Sequence, residues 1–148
     1  MKLRRWLNVL RTLLFGDITG NGSQAYYSRN AIGKQGELVA LSYLKRLGWR
    51  LVDCNVRLGV DELDLLVISP NEKVMAIVEV RTTARTNTSP ERTVTLKKRK
   101  CMLRIAKKLR SLAALHRCTL RVDLIAVTIR NPEHLIHHYE GVIPIPKR

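Results

Sequence analysis

Several kinds of residue are scarce in this sequence, and each scarcity argues against a class of protein. Aromatic side chains make up only 5% of the 148 residues, which argues against binding of single-stranded nucleic acid mainly by stacking on bases. The three cysteines, Cys54, Cys101 and Cys118, show no metal-ligand spacing. They are interpreted as reduced thiols of a cytoplasmic protein. No apolar run is long enough to span a bilayer.

Acidic residues are also few, and the basic ones outnumber them. The 27 Lys and Arg residues against 12 acidic residues give a formal charge of +15. A field of this size favours a polyanionic partner, with nucleic acid first and an anionic membrane surface second. At this length, the chain is expected to form one domain with a proper core.

The first thirty residues are expected to lie outside that domain. An amphipathic helix is predicted near the N-terminus, with an apolar face made by Leu3, Trp6, Leu7, Leu10, Leu13 and Leu14. The segment is not interpreted as a signal peptide, because Arg11 interrupts its apolar region in the sequence and no clear cleavage site follows. A helix docked on the domain is favoured over an interfacial membrane helix. Residues 16–30 are predicted to be a linker, which divides the chain into segment 1–30 and domain 31–148.

A hairpin between Val60 and Arg81 concentrates acids in the most hydrophobic part of the chain. Two β-branched runs flank a Pro-Asn turn, and if the turn centres between Asn71 and Glu72, Asp64 lies opposite Glu79. Such partners stand about 5 Å apart at Cβ, close enough to hold one cation. An edge hairpin with its acids in water is the simpler alternative. The surrounding apolar residues disfavour it, because a buried carboxylate needs compensation.

A long basic helix is predicted over Leu96 to Leu115. Eight of its side chains are positive, and no acid lies between them to form helical pairs. Phosphate binding is therefore the favoured interpretation. The residues assigned to it are Lys97, Lys98, Arg99, Lys100, Arg104, Lys107 and Lys108.

The remaining elements add further candidates. A helix over Ala31 to Leu47 places Glu37 on its apolar face, where it serves either the site or only the start of the helix. Strands are predicted over Trp49 to Arg57, Thr119 to Ile129 and Leu135 to Tyr139, and a polar loop over Thr82 to Thr95. Arg121 and Asp123 share a strand face, which is expected to place them in or beside the same site. The histidines are interpreted as surface residues: His134, His137 and His138.

This order of elements, with Glu37, Asp64 and Glu79-Val80-Arg81, resembles the PD-(D/E)xK nuclease signature on a restriction-endonuclease-like αβββαβ core. More closely, the chain resembles the small bacterial YraN-type family of endonuclease-like proteins. The matching pieces are Gly33-Lys-Gln-Gly36-Glu37, Tyr43-Leu44, Gly48-Trp49, Asn55-Val-Arg57, Glu62-Leu-Asp64-Leu, Val78-Glu79-Val80, Lys97 or Lys98, and Arg121-Val-Asp123. The resemblance implies an α/β fold with a central mixed sheet flanked by helices.

The resemblance also implies a mechanism. Asp64 and Glu79 would hold Mg²⁺ or Mn²⁺, Glu37 would orient the attacking water, and Arg81 would bind the phosphate. Residues implied to lie behind this site are Arg57, Glu62, Arg121 and Asp123. Two positions depart from the family pattern, since Asp61 replaces a glycine and Arg81 replaces the usual lysine. An arginine keeps the charge but differs in reach and does not give up a proton.

Three functions therefore stay open. The first is a metal-dependent nuclease acting on DNA, including branched DNA, and the second is a non-catalytic nucleic-acid-binding protein with a degenerate site. The third, a membrane-associated or protein-interaction domain, is supported only by the amphipathic start. Related resolvases are dimers, so the resemblance allows a homodimer.

Overall fold

The structure is a computed structural model that describes residues 24–84 and 94–146, with side chains from residue 31 onward. Its elements are α1 (Gln24–Arg46), β1 (Arg50–Leu58), β2 (Asp61–Ile68), β3 (Val74–Thr83), α2 (Leu96–Leu115), β4 (Thr119–Thr128) and β5 (Leu135–Tyr139). The predicted N-terminal amphipathic helix and most of the predicted polar loop lie outside the described residues. Neither α1 nor α2 is long and apolar enough to cross a membrane.

The five strands form one mixed sheet in the order β1-β2-β3-β4-β5. Neighbouring strands are antiparallel except for β3 and β4, which are parallel. A parallel pair needs a long crossover connection, and α2 lies within it. The predicted α/β fold class with a mixed sheet is confirmed, and the architecture is consistent with a restriction-endonuclease-like core.

The two helices cover opposite faces of the sheet, so the direction of a strand side chain decides which helix it meets. On one face, Ala40 and Leu44 of α1 pack with Val78 and its neighbours. On the other face, Met102 and Ile105 of α2 pack in the core that contains Ile77. Because strand side chains alternate, Glu79 continues the row of Ile77 and is directed to the α2 face.

The start of α1 differs from its prediction. The helix begins at Gln24 rather than Ala31, so residues 24–30, predicted as part of a linker, are helical. The glycines of that predicted linker are Gly16, Gly20 and Gly22, all before Gln24. No glycine or proline follows until Gly33, so nothing in residues 24–30 interrupts a helix that is already nucleated.

Candidate metal and phosphate site

Strands β2 and β3 separate at the point where the candidate acids lie. Their described pairing runs from Ile68 with Met75 to Leu65 with Val78, as the predicted turn centre requires, so this register is confirmed. Beyond the last pair, β2 continues along β1 and β3 continues along β4. We call this opening the fork. Asp64 and Glu79 are the first residues on its two sides.

The fork is held at its base by a side chain rather than by the sheet ladder. Asp64 Oδ2 accepts a hydrogen bond of 2.8 Å from the backbone N–H of Val80. The carboxylate therefore takes the position of a backbone acceptor and is tied to β3. This contact brings the charge of Asp64 next to Glu79.

Glu79 is a buried carboxylate with two cations beside it. It is 5% exposed, with Arg81 Nη2 at 3.1 Å from Oε1 and Lys98 Nζ at 2.7 Å from Oε2. Burial raises the pKa of Glu79 to about 7, the charge of Asp64 raises it as well, and Lys98 and Arg81 oppose the rise. The contact with Arg81 agrees with the predicted position of both residues on one strand face.

Glu37 reaches the same region from α1. Burial raises the pKa of Glu37, a hydrogen bond with Asn55 opposes the rise, and the charges of Asp64 and Glu62 add to it. The charge of Asp64 thus acts on both Glu37 and Glu79. Asp64 is therefore near each of the other two acids that the resemblance assigned to one site.

The donor set at the fork fits a hard divalent cation with few protein ligands. Within residues 24–84 and 94–146, no three or more His, Cys, Asp or Glu side chains form a metal-binding group. Asp64 and Glu79 are a pair, and Mg²⁺ binds through one or two carboxylates while keeping several waters. Glu79 Oε2 is buried, and its neighbour is the Lys98 ammonium at 2.7 Å. This oxygen therefore already attracts one cation.

Two residues implied to lie behind the site form a pair at its edge. Arg57 on β1 and Glu62 on β2 are directly opposite each other, and both are exposed. The charge of Glu62 acts on Glu37. Arg57 and Glu62 therefore border the acidic region without entering it.

Arg121 and Asp123 belong to a different cluster. Asp123 is 0% exposed and accepts hydrogen bonds from Arg121 Nε at 2.8 Å and from the Gly141 N–H at 3.0 Å. His138 Nε2 lies 2.9 Å from Asp123 Oδ2. Asp123 alternates with Val122, which packs on the α2 face, so Asp123 is directed to the α1 face, away from Glu79. The structure brings Arg121 and Asp123 together but not to the fork.

The same cluster corrects the interpretation of His138 as a surface residue. Its side chain is only 8% exposed and is covered by Tyr43 and Trp49, whose rings meet it edge-on. The prediction was wrong because the buried charge of Asp123 needs hydrogen-bonding partners, and β5 supplies one. The sequence did contain one indication of this cluster, because Asp123 is the single acid in the apolar sequence of β4.

Asp61 is a buried acid whose role the sequence did not indicate. It is 2% exposed, accepts a hydrogen bond of 3.1 Å from Arg104 Nε, and lies 3.5 Å from Lys108 Nζ. The hydrogen bonds from Arg104 lower the pKa of Asp61 to about 2 against the opposing effect of burial. The sequence did contain one indication of this pairing. The basic helix has no acid of its own, so acidic partners for its charges have to come from another element.

The basic helix is therefore less uniform than predicted. The inference that its charges lack acidic partners was wrong for Lys98, Arg104 and Lys108, because Glu79 and Asp61 on the sheet supply them. The remaining predicted phosphate-binding side chains are exposed and contact no acid in the described part of the chain. These are Lys97, Arg99, Lys100 and Lys107.

Comparison with known proteins identifies the family to which this sequence is similar. The sequence model of the uncharacterised protein family UPF0102 matches residues 36–127. A UPF0102 protein of Syntrophotalea carbinolica is 32% identical over 120 residues, covering 80% of this chain and 96% of that protein. A UPF0102 protein of Chlorobium phaeobacteroides is 34% identical over 101 residues, covering 68% of this chain and 78% of that one.

Among solved structures, SfsA of Pyrococcus furiosus in complex with Ca²⁺ has a TM-score of 0.30 and 12% identity, covering 79% of this chain and 65% of that chain. A likeness of this size carries no argument. The matched range, residues 36–127, contains Glu37, Asp64, Glu79 and Lys98. The family match and the relatives that match over most of their length show that this chain belongs to the uncharacterised protein family UPF0102, the YraN family.

Proposed function

We propose that the protein is a divalent-metal-dependent nuclease that hydrolyses phosphodiester bonds in DNA. The observation that carries this proposal is the buried carboxylate of Glu79, which lies at the fork where Asp64 is the first residue of the other strand. Two neighbouring carboxylates repel each other unless a cation lies between them. A structural ion pair would not require the second acid.

The residues of the fork have distinct parts in this mechanism. Asp64 and Glu79 would hold Mg²⁺ or Mn²⁺, which polarises the phosphate and activates water when bound. Glu37, half-buried and near enough to Asp64 for that charge to raise its pKa along with burial, would accept a hydrogen bond from the attacking water and orient it. Arg81, anchored to Glu79, donates to the oxygens of the phosphate.

The exposed side of α2 supports DNA as the substrate. Lys97, Arg99, Lys100 and Lys107 are exposed, and α2 also carries Lys98, the side chain that reaches the fork. Contacts to phosphates hold a duplex in place without reading its bases. We therefore expect little sequence preference.

A second candidate is a nucleic-acid-binding protein without catalysis. It is favoured by the position of Arg81, whose guanidinium lies 3.1 Å from Glu79 where it supplies part of the charge that a metal would bring. An arginine so placed competes with Mg²⁺ for the carboxylate. In this case DNA binding persists and hydrolysis is absent.

Incubation of the full chain with branched and linear duplexes, in Mn²⁺ or in a chelator, separates the two functions. A nuclease cuts only with Mn²⁺, and Asp64→Ala abolishes cutting while the control Glu72→Gln, an exposed turn carboxylate, leaves it unchanged. Binding without cutting in any metal would favour the second candidate. Metal-independent cutting that survives Asp64→Ala would contradict both.

A further inference from the structure

Lys98 differs from the other basic residues of the first turn of α2. Its Nζ lies 2.7 Å from Glu79 Oε2, and its side chain is 21% exposed, whereas Lys97, Arg99 and Lys100 are exposed. Lys98 is four residues before Met102, a fully covered core residue. It therefore lies on the core-facing side of α2, directed at the sheet.

The backbone of Lys98 is fixed as well as its side chain. Thr95 caps α2, and its Oγ1 accepts a hydrogen bond of 3.2 Å from the Lys98 N–H. Met102 anchors the next turn in the core between α2 and the sheet. The capped first turn of α2 thus fixes the position from which the Lys98 ammonium reaches the fork.

Lys98 is the second cation on the Glu79 carboxylate, since the guanidinium of Arg81 already lies 3.1 Å from Oε1. The two cations reach Glu79 from different elements, Arg81 from β3 and Lys98 from α2. The Lys98 side chain also keeps 21% of its surface exposed. Part of this side chain therefore stays accessible to a phosphate while its ammonium contacts Glu79.

From these contacts, and resting on the proposed nuclease function, we infer that Lys98 is a catalytic residue whose ammonium group stabilises the charge that builds on the phosphate during hydrolysis. The water oxygen bonds to phosphorus as the leaving sugar oxygen departs. The proton that the water loses balances the one that the leaving oxygen takes up from solvent. A fixed cation beside the phosphate stabilises the charge that accumulates between these two events.

Lysine suits this task better than the neighbouring arginine. An ammonium has three donors on a compact charge, so it can contact Glu79 and a phosphate oxygen together. The Arg81 guanidinium is planar and already bonded to Glu79. Lys98 therefore provides from α2 the ammonium that Arg81 does not provide from β3.

The test compares Lys98→Ala, Lys97→Ala and the exposed turn variant Lys73→Ala in single-turnover cleavage with Mn²⁺ and saturating DNA. Lys98→Ala should reduce the rate by about 10²–10³-fold, the usual loss when one donor to a transition-state charge is removed. Lys97→Ala should weaken DNA affinity while keeping the rate at saturation. Lys73→Ala should change neither.

Two further measurements separate catalysis from structure. Calorimetric titration with Mn²⁺ should show Lys98→Ala binding the metal at least as tightly as the parent, because a cation near Glu79 has been removed. Arg81→Lys in the Lys98→Ala background should restore much of the rate, since it returns an ammonium to the fork. Lys98→Met, which keeps the side-chain stem, replaces Lys98→Ala if the latter melts at a lower temperature.

The outcomes distinguish the two proposals. A parent that cleaves and a Lys98→Ala variant that cleaves as fast would overturn the role of Lys98 and leave the nuclease proposal standing. Mn²⁺ affinity that falls in proportion to the rate, without rescue by Arg81→Lys, would assign Lys98 to holding Glu79 only. A parent that never cleaves would overturn the nuclease proposal itself, and the role of Lys98 with it.

Discussion

Gly36 on α1 lies so close to Thr82 on β3 that a Cβ atom on Gly36 would overlap Thr82 Oγ1. No side chain fits between the helix and the strand at this point. Glu37 is the next residue, so this contact sets how deeply Glu37 reaches toward the fork.

Gly36→Ala is therefore expected to push α1 away from β3. Overpacking of this kind typically costs about 1–3 kcal/mol, more than the roughly 1 kcal/mol that alanine gains over glycine in a helix. Gly33→Ala is the matched control, because nothing lies within 4 Å of its added Cβ. Urea unfolding should show the first variant destabilised and the second stabilised. Equal stabilisation of both would contradict the close contact.

Asp64→Asn should remove metal binding while preserving the fold. The amide oxygen can still accept the hydrogen bond from Val80 that Asp64 makes, but the charge is lost. We expect Mn²⁺ affinity to fall by at least roughly 10-fold, since even outer partners of metal ligands are worth that much. Metal-free stability should stay equal or rise, because repulsion with Glu79 is relieved. Unchanged affinity in calorimetry would remove Asp64 from the site.

Arg81→Lys should increase Mn²⁺-dependent nicking of a branched duplex more than it tightens metal binding. The lysine ammonium keeps a positive charge beside Glu79. It is also more compact than the planar guanidinium, which leaves room for a phosphate. Nicking rates and Mn²⁺ titrations of the parent and the variant provide the measurement. A parent that is already fast, and is slowed by this change, would identify Arg81 as a working catalytic variant.

Binding of DNA should weaken steeply with salt, because each neutralised phosphate releases counterions. Lys97→Ala, Lys100→Ala and Lys107→Ala remove exposed charges of α2. Each should lower the slope of log affinity against log salt by about 1, equally on different sequences. Fluorescence anisotropy between low and moderate salt measures this slope. Binding that does not depend on salt would contradict phosphate contacts by α2.

The pairing of Asp61 with Arg104 predicts a pH dependence of stability at low pH. Arg104 lowers the pKa of Asp61 to about 2 in the folded chain, below the unfolded value of about 3.9. The stabilisation is therefore complete above pH 4 and is lost as the pH falls toward 2. Asp61→Asn should be less stable than the parent at pH 7, and this difference should shrink between pH 4 and pH 2.

Urea midpoints across this range measure the effect, with Glu133→Gln as the control. Glu133 is an exposed carboxylate that forms no ion pair among residues 24–84 and 94–146, so its substitution should leave the pH profile unchanged. A parent and an Asp61→Asn variant with the same stability at pH 7 would show that the Arg104 contact contributes nothing.

The hairpin was predictable because its information is local. Alternation of apolar residues and the turn at Asn71 fix the register within about twenty residues of chain. This register is enough to predict that Asp64 and Glu79 lie at the same end of the paired strands. Sequence reasoning placed Lys98 among phosphate-binding residues because its partner is on another element. The helix period shows which side of α2 it occupies, but not that Glu79 lies beneath it.

The same limit explains Asp61 and His138. Asp61 looked like a departure from a glycine, because its partner Arg104 is 43 residues away in the chain. His138 looked exposed because the short β5 sequence alternates weakly, and its burial depends on Asp123 and Trp49. Buried ion pairs between distant elements leave no periodic pattern in a sequence, so they emerge only from the packed fold.

Helix α2 is attached to both sides of the fork, through Glu79 on β3 at its first turn and through Asp61 on β2 at its middle. The helix bridges the opening, because one rigid element is ion-paired with both strands. If a DNA duplex bound to the exposed lysines of α2 displaced this helix, both strands would move with it. The separation of β2 and β3 beyond Asp64 and Glu79 is therefore coupled to the position of α2.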